Sequence, residues 1–155
     1  MRANRTVILL SVFLLSLFIC GGAYCVEDEK PAPQGEFTKI FNKTPVTNGA
    51  RIITYAQFMK IRNSDEKFVL VDVLSRDDYA TGHIEGAISF PVSSITRDSA
   101  LKKIPKYSNV IVYCLSSACP LSVEASCKLS SYEYKVLDYK GGLDEWQDKG
   151  NKLVR

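Results

Sequence analysis

Two continuous apolar runs dominate the chain from residue 67 onward, at 67–73 and 109–113, and residues 135–139 predict a further strand. They are rich in Val, Ile and Leu and lack the strict polar–apolar alternation of a strand with one face in water. Runs of this kind are typical of strands that are buried on both faces of a parallel sheet. Residues 51–54 predict a further short strand, and residues 83–91 predict a loop that leads into another.

The segments between these strands have the spacing and end signals of helices. Thr54 is placed to cap a helix whose inner face carries Phe58 and Ile61. Helical segments are predicted at residues 55–62, 75–81, 95–103 and 121–131, and after Gly141-Gly142. Strands and helices that alternate over short connections predict an α/β fold, a parallel sheet with helices on both faces, formed by residues 37–155. Within that domain, residues 37–48 mix apolar residues with turn formers, and the sequence leaves their structure open.

The N-terminal region has the pattern of an export signal. Two arginines precede an apolar run at residues 7–19, which is long enough for the core of a signal peptide and short for a membrane span. We predict a signal peptide at 1–23 and a flexible tether at 24–36. A lipoprotein acylated on Cys20 and an uncleaved anchor rank second and third. The protein is thus expected to be periplasmic or otherwise exported, with membrane contact only through such an anchor.

Charge and cysteine content narrow the function. The chain has 20 basic and 17 acidic residues and no basic stripe with interleaved aromatic residues, so nothing predicts nucleic-acid binding. Five cysteines are too few for a fold built on disulfides in a chain of 155 residues. A single histidine among scattered cysteines predicts no metal site. Gly141-Gly142 lacks the spacing of a dinucleotide-binding motif, and no cofactor is predicted.

The candidate site lies where the apolar run at 109–113 meets the helix predicted at 121–131. Cys114 ends the strand, and Pro120 fits the first position of the helix. Because loop amides and a helix N-terminus both favour negative charge, this position predicts a thiolate, the reactive form of cysteine. The alternative is a buried structural thiol at the end of a strand.

The loop between Cys114 and Pro120 is built largely of small residues. Ser116, Ser117 and Ala118 are small enough to let successive amides turn inward as a nest for an anion. Leu115 would lower the local dielectric and strengthen those interactions. The predicted active-site loop therefore consists of Leu115, Ser116, Ser117, Ala118 and Cys119.

Several pieces of the sequence, in this order, resemble the signatures of the rhodanese homology domain. They are Asp72-Val73, Asp78-Tyr79, residues 82–88, residues 110–114, and residues 139–143 with Trp146 and Gly150. The resemblance covers residues 51–155. It implies a five-stranded parallel sheet with helices on both faces, and a catalytic Cys114 that carries a persulfide.

The loop departs from the pattern of that family. Active members often carry arginine within or just after the loop, whereas residues 115–121 contain no basic residue. Cys119 stands near the place of the second arginine, and Leu74 stands where an arginine often follows the aspartate-valine pair. Because thiosulfate is a dianion, the missing cations bear on thiosulfate recognition more than on persulfide chemistry.

Cys119 and Cys127 receive different interpretations. Cys119 is either a resolving thiol, which attacks a persulfide on Cys114 and leaves a disulfide, or a passive residue near the start of the helix. A bridge between the two needs Cα atoms within about 7 Å. Cys127, four residues after Val123, is predicted to lie in the core.

Asp72 and His83 are predicted to support the site. Asp72, at the end of a buried strand, would act as an acceptor that orients a loop, with a general-base role as the minority alternative. His83, in Gly-His-Ile, would hold a loop in place through hydrogen bonds.

Together these features predict an exported sulfurtransferase that takes sulfane sulfur from a small donor onto Cys114 and passes it to a thiol or cyanide. A partner protein as acceptor stays open. The prediction requires a sulfur that solvent reaches, with loop amides directed at it.

The alternatives are a dithiol/disulfide redox protein that uses Cys114 and Cys119, and a non-catalytic rhodanese-like binding module. A phosphatase or arsenate reductase with a Cys-x5-Arg loop is excluded, because Pro120 occupies the sixth position after Cys114.

Overall fold

Five parallel strands form one sheet in the computed structural model, which describes residues 35–155. The strands are β1 (Ile52–Ile53), β2 (Val69–Asp72), β3 (Ala87–Ser89), β4 (Asn109–Tyr113) and β5 (Lys135–Tyr139). Their order across the sheet is β1-β5-β4-β2-β3, and every neighbouring pair is parallel. The predicted fold class is therefore confirmed. The predicted signal peptide and most of the tether lie outside the described residues.

Six helices accompany the sheet. They are α1 (Glu36–Lys43), α2 (Tyr55–Arg62), α3 (Arg76–Thr81), α4 (Arg97–Lys103), α5 (Leu121–Ser131) and α6 (Gly142–Asp148), with a 3-10 turn at Val92–Ser94. The predicted bounds of α2 and α5 are those observed. Helix α4 begins two residues later than predicted, because the side chain of Thr96 accepts a hydrogen bond from the amide of Ser99 and caps the helix there. No helix among residues 35–155 is both long and apolar enough to cross a membrane.

Helix α1 settles the region that the sequence left open. It begins at Glu36, the last residue of the predicted tether, and buries Phe37 and Ile40. The sequence predicted Pro120 at the first helical position of α5. In the structure Pro120 lies at the N-cap, one position earlier. Its backbone is nevertheless already helical, with φ −82° and ψ −13°, so its ring causes no conflict.

The core lies on both faces of the sheet. On one face the ring of Tyr139 stacks on Phe58 of α2, with centroids 4.7 Å apart, and Trp146 of α6 lies against the same phenylalanine. Helix α5 packs across β4 and β5. Residues Val110 to Tyr113 of β4 are fully buried, as expected for a central strand covered on both faces.

The register of β4 against β5 positions the candidate site. Val112 pairs with Asp138, and the two strands run in the same direction. Continuing that register by two residues brings Cys114 opposite Lys140. Because side chains alternate between the faces of a strand, Asp138, Lys140 and Cys114 belong to the same face of the sheet, and Tyr113 and Tyr139 to the other.

Candidate functional site

The backbone at Cys114 is held by the first turn of α6. The amide of Leu143 donates to the carbonyl oxygen of Cys114 at 3.0 Å, and the amide of Asp144 donates to that of Leu115 at 2.9 Å. Two amides that a helix start leaves without intrahelical partners are thereby used to fix the end of β4. Gly142 permits this contact, because a Cβ atom there would lie 2.3 Å from the Cys114 carbonyl oxygen.

The loop from Leu115 to Cys119 is exposed on its outer side. Leu115 is 50% exposed, Ser117 and Ala118 are exposed, and Ser116 is half-buried. The amide of Cys119 donates to the Ser116 carbonyl oxygen at 3.1 Å and closes a tight turn. The Lys140 ammonium group donates to the carbonyl oxygen of Cys119. A cation therefore does reach this loop, although it comes from the junction between β5 and α6.

The Cys114 sulfur is enclosed by the loop. The residue is 0% exposed, and its thiol donates to the carbonyl oxygens of Ser116 and Cys119, at 3.7 and 3.6 Å. These two contacts favour the protonated thiol, since carbonyl oxygens repel a thiolate. In this conformation the sulfur therefore meets neither part of the requirement drawn from the sequence: solvent does not reach it, and carbonyl oxygens of the loop, in place of loop amides, face it.

The pKa of Cys114 follows from this environment. Burial raises it above the ordinary value, and the neighbouring Cys119 side chain raises it further. The hydroxyl and the amide of Ser122, in the first turn of α5, act in the opposite direction. The expectation of a resting thiolate is therefore wrong for this conformation: the favourable field at the helix N-terminus is present, but desolvation outweighs it.

The other two described cysteines lie at different depths. Cys119 is half-buried and free, beside Cys114. Cys127 is exposed, which corrects its predicted place in the core, and its thiol donates to the Gly49 carbonyl oxygen at 3.4 Å. The error has a simple origin, because α5 turns a different face inward, formed by Ser122, Ala125, Ser126 and Leu129.

Asp72 and His83 lie away from the sulfur. Asp72 is fully buried, accepts a hydrogen bond from the Leu74 amide at 2.9 Å, and pairs in register with Tyr113, on the face of the sheet opposite Cys114. His83 Nδ1 lies 3.0 Å from the Tyr79 carbonyl oxygen, and the two rings stack. Both residues hold backbone segments in place, the geometry expected of supporting residues, and neither contacts the thiol.

Three polar residues were missed by the sequence reasoning: Ser122, which acts on the Cys114 thiol, Lys140, which reaches the loop at Cys119, and Asp138 of β5. Asp138 is 0% exposed, and neither of its carboxylate oxygens has a hydrogen-bond partner among residues 35–155. Burial raises its pKa to about 6, against smaller opposing effects from the Ser122 hydroxyl and the Lys140 charge. A signal was present in the sequence, since Asp138 interrupts an otherwise apolar strand.

Two cavities flank the loop. One, of about 720 Å³, is lined by Leu115 and by two cations, Lys152 and Arg155. The other, of about 560 Å³, lies beside Ser116 and Ser117 and is lined by three acidic residues, Asp144, Glu145 and Asp148. The first cavity also has Asp78 in its lining, so its charge is mixed, whereas the charged residues that line the second are all acidic. Within the described part of the chain, no cluster of His, Cys, Asp and Glu could hold a metal ion.

Comparison with known proteins identifies a matching protein family. Residues 54–149 match the model of the rhodanese-like domain. The chain is 29% identical over 127 residues to a putative mitochondrial thiosulfate sulfurtransferase of Schizosaccharomyces pombe, covering 72% of this chain and 88% of that protein. It is 32% identical over 90 residues to a sulfurtransferase of Allochromatium vinosum, covering 57% of this chain and 80% of that protein.

Other relatives contain a similar region as one part of a longer chain. An HTH-type transcriptional regulator of Mycobacterium tuberculosis is 30% identical over 100 residues, which are 63% of this chain and 42% of the regulator. A probable molybdopterin-synthase adenylyltransferase of Porphyra purpurea matches over 52% of this chain and 20% of its own length. The chain thus spans less than half of these two curated relatives.

Solved structures agree with this fold. A Bacillus halodurans protein superposes with a TM-score of 0.60 at 27% identity, covering 66% of this chain and 74% of that one. A rhodanese-like domain from an Anabaena protein gives a TM-score of 0.52 at 29% identity, covering 57% of this chain and all of that one.

Proposed function

Because the chain belongs to the rhodanese-like domain family, we propose that it is a sulfurtransferase that carries sulfane sulfur as a persulfide on Cys114 and passes it to a thiol or cyanide. The observation that supports this most is the position of Cys114 at the carboxyl end of β4, against the first turn of α5, where the Ser122 amide and hydroxyl favour a negative sulfur. We also propose that the protein is exported, with residues 1–23 as its signal peptide.

The chemistry needs a deprotonated sulfur and a path to it. The Cys114 thiolate attacks the outer sulfur of thiosulfate, a new S–S bond forms, and sulfite leaves with the electron pair of the broken S–S bond. An acceptor thiolate or cyanide then takes that sulfur from the persulfide. Since Cys114 is 0% exposed, the loop from Leu115 to Cys119 has to open for both steps. Its residues are largely exposed, but its carbonyl oxygens accept hydrogen bonds from the Asp144 amide, the Lys140 ammonium group and the Cys114 thiol, and opening breaks these contacts.

Lys140 supplies a positive charge that the loop itself lacks. Its ammonium group lies at the Cys119 carbonyl oxygen, and the residue directly follows β5, as Cys114 directly follows the neighbouring strand β4. We propose that it attracts an anionic donor and compensates for the arginines that active relatives often carry in the loop.

Two other functions have a specific observation in their favour. A non-catalytic binding module is favoured by the enclosed, protonated Cys114, which in that case serves only to hold the loop. A dithiol redox protein is favoured by Cys119, whose carbonyl oxygen lies 3.6 Å from the Cys114 sulfur and whose thiol is free.

One experiment separates the three. The reduced protein is incubated with thiosulfate or with polysulfide, and its intact mass is measured beside that of Cys114→Ser. We expect the wild type to gain the mass of one sulfur atom and the variant to gain none. A gain of equal size in the variant, or no gain in the wild type, removes the sulfurtransferase. Loss of two hydrogen atoms under mild oxidant, with Cys114 and Cys119 joined, would instead identify the redox protein.

Replacement of Lys140 by methionine should slow sulfur uptake from thiosulfate about tenfold or more, since hydrogen bonds to charged groups are worth about 1.5–3 kcal/mol. Uptake from an uncharged organic trisulfide should change by less than about twofold. The measurement is the initial rate of persulfide formation for each donor. Lys102→Met, at an exposed position on α4, is the matched control. Equal effects on both donors would show that Lys140 only holds the loop closed.

A further inference from the structure

We propose that the loop from Leu115 to Cys119 is a latch that the Cys114 thiol proton holds closed, and that loss of this proton, by ionisation or by loading with sulfur, opens it. The inference rests on the proposed function and deepens it, because it assigns the event that exposes the sulfur. It makes the loop a surface that distinguishes the loaded protein from the unloaded one.

The contacts of the thiol are the first observation. The Cys114 sulfur lies 3.7 Å from the carbonyl oxygen of Ser116 and 3.6 Å from that of Cys119, and the thiol shares its one proton between them. Ser116 and Cys119 are the two ends of the turn that the Cys119 amide closes at 3.1 Å. One proton therefore ties both ends of the turn to the residue that follows β4.

A sulfur without a hydrogen reverses the sign of these contacts. A thiolate in the same place would hold its charge within 3.7 Å of two carbonyl oxygens, which carry negative partial charge. Cys114 is 0% exposed, so water does not screen the repulsion. The closed loop therefore suits the thiol and opposes the thiolate.

Loading with sulfur removes the same hydrogen. In a persulfide the inner sulfur is bonded to Cβ and to the outer sulfur, and it has no proton to donate. The outer sulfur lies about 2 Å from the inner one, whereas the Cys114 side chain is already enclosed by the loop. Loading thus removes a hydrogen-bond donor and also requires space that the closed loop occupies.

The remaining contacts of the loop allow it to close again. The amide of Asp144 donates to the Leu115 carbonyl oxygen at 2.9 Å, and the Lys140 ammonium group donates to that of Cys119. Neither contact involves the sulfur, so both donors stay available in every state of Cys114. They re-form their hydrogen bonds once the thiol proton has returned.

The latch is balanced within the proposed reaction. The Cys114 proton passes to water, and the thiolate attacks the outer sulfur of the donor, whose leaving group departs with the electron pair of the broken bond. The acceptor thiolate then takes the outer sulfur, and Cys114 leaves as a thiolate. It takes up a proton from water, and the loop closes. The unloaded protein thus keeps its cysteine covered, and the loaded protein presents its sulfur.

Other ionisable groups decide how a pH experiment is read. The elements next to Cys114 carry Cys119 of the loop, Lys140 after β5, Asp138 of β5, Asp144 and Glu145 of α6, Glu124 of α5, and, on the opposite face of the sheet, Asp72, Tyr113 and Tyr139. Cys119 and Lys140 ordinarily ionise in the alkaline range, as a thiol does. The carbonyl oxygen of Ser116 accepts from the Cys114 thiol and the Cys119 amide, and it is therefore the cleaner reporter.

The first test is a carbon-detected NMR titration from about pH 7 to about pH 11. A Cys119→Ser background removes the second thiol of the loop. The Cβ shift of Cys114 reports ionisation of the thiol, and the carbonyl shift of Ser116 reports its hydrogen bond. We expect both to change with one midpoint. In Cys114→Ser, whose hydroxyl donates and does not ionise in this range, the Ser116 shift should stay constant.

The second test needs no ionisation. It is hydrogen exchange at pH 7 of the Cys119 amide, which closes the turn. Cys114→Ala removes the donor and should exchange about threefold faster or more than Cys114→Ser, within the range that one neutral hydrogen bond contributes. Cys127→Ala removes a thiol that donates to a carbonyl oxygen elsewhere, that of Gly49, and should match the wild type.

Three results would overturn the latch. They are a Ser116 shift that stays constant while Cys114 ionises, equal exchange in Cys114→Ala and Cys114→Ser, and a sulfur-loaded protein that keeps the Ser116 shift of the thiol. If Cys114 does not ionise below pH 11, the exchange comparison decides. A protein that takes up no sulfur and still gives the expected results in both tests would overturn the proposed function and leave the latch standing.

Discussion

Replacing Gly142 by alanine is expected to lower the free energy of unfolding by about 3 kcal/mol or more and to detach the loop that carries Cys114. Gly142 has φ +63°, a conformation that costs an L-residue about 1–2 kcal/mol. A Cβ atom there would also lie 2.3 Å from the Cys114 carbonyl oxygen and 2.8 Å from the backbone of Leu115. Both clashes are with backbone, so relief requires that α6 move away and give up its two hydrogen bonds to the loop.

Gly150→Ala provides the matched control for this variant. Gly150 also has a positive φ, +81°, but a Cβ atom there meets nothing within 4 Å. It therefore measures backbone strain alone, and we expect a loss of about 1–2 kcal/mol. Urea unfolding of both variants, together with sulfur uptake at a temperature where both are folded, gives the comparison. Equal losses of stability would show that the contact between α6 and the Cys114 backbone contributes little.

Asp138 is expected to make the protein less stable at neutral pH than at pH 4. A carboxyl group whose pKa is 3.8 in the unfolded chain and about 6 in the fold holds its proton more tightly when folded. The stabilisation of the fold by this tighter proton binding is therefore fully present below pH 3.8 and is lost as the pH rises through 6. The difference between the two values corresponds to about 3 kcal/mol.

The measurement is the free energy of unfolding of wild type and Asp138→Asn between pH 4 and 7. The asparagine keeps the shape of the side chain and cannot ionise, so the variant should gain about 2.4 kcal/mol relative to the wild type between pH 4 and 7. Taking the difference removes the contributions of the other titrating groups, including Asp72, whose pKa burial also raises. For Asp98→Asn the same difference should stay within about 0.5 kcal/mol. Parallel curves for wild type and Asp138→Asn would show that Asp138 does not titrate in this range.

These two predictions concern the same part of the molecule, the end of β4 and β5. The glycine fixes the backbone under the sulfur, and the unpaired acid beside it lowers the stability of the fold. A buried acid without a hydrogen-bond partner among residues 35–155 destabilises the protein at neutral pH, and packing alone does not account for it.

Local signals in the sequence were sufficient for the framework. The apolar run at 109–113 and the helical pattern at 121–131 each depend on neighbours a few residues away, and both elements are observed where they were predicted, whereas Pro120 lies one position earlier than predicted. The capping of α2 by Thr54 is equally local and is observed as a reciprocal pair with Gln57. The sequence did not predict helix α1, because turn-forming residues follow its apolar residues closely.

The electrostatic state of the site depended on distant parts of the chain. The thiolate prediction used the helix N-terminus, which is local, and missed the desolvation of Cys114, which comes from the whole fold. Cys127 was predicted to lie in the core because the spacing of residues defines which side chains share one face of a helix. That spacing does not say which face packs against the sheet.

The sequence by itself determined the order of the elements, the position of Cys114 at a junction of strand and helix, and the family, because periodicity, capping and short signatures are properties of neighbouring residues. The tertiary structure alone decided that Ser122 acts on the Cys114 sulfur, that Lys140 reaches the Cys119 carbonyl oxygen and that Asp138 is buried beside Val112. The reason is physical: the pairing of β4 with β5 brings together residues more than twenty positions apart, and only the packing of α5 over both strands removes water from between them.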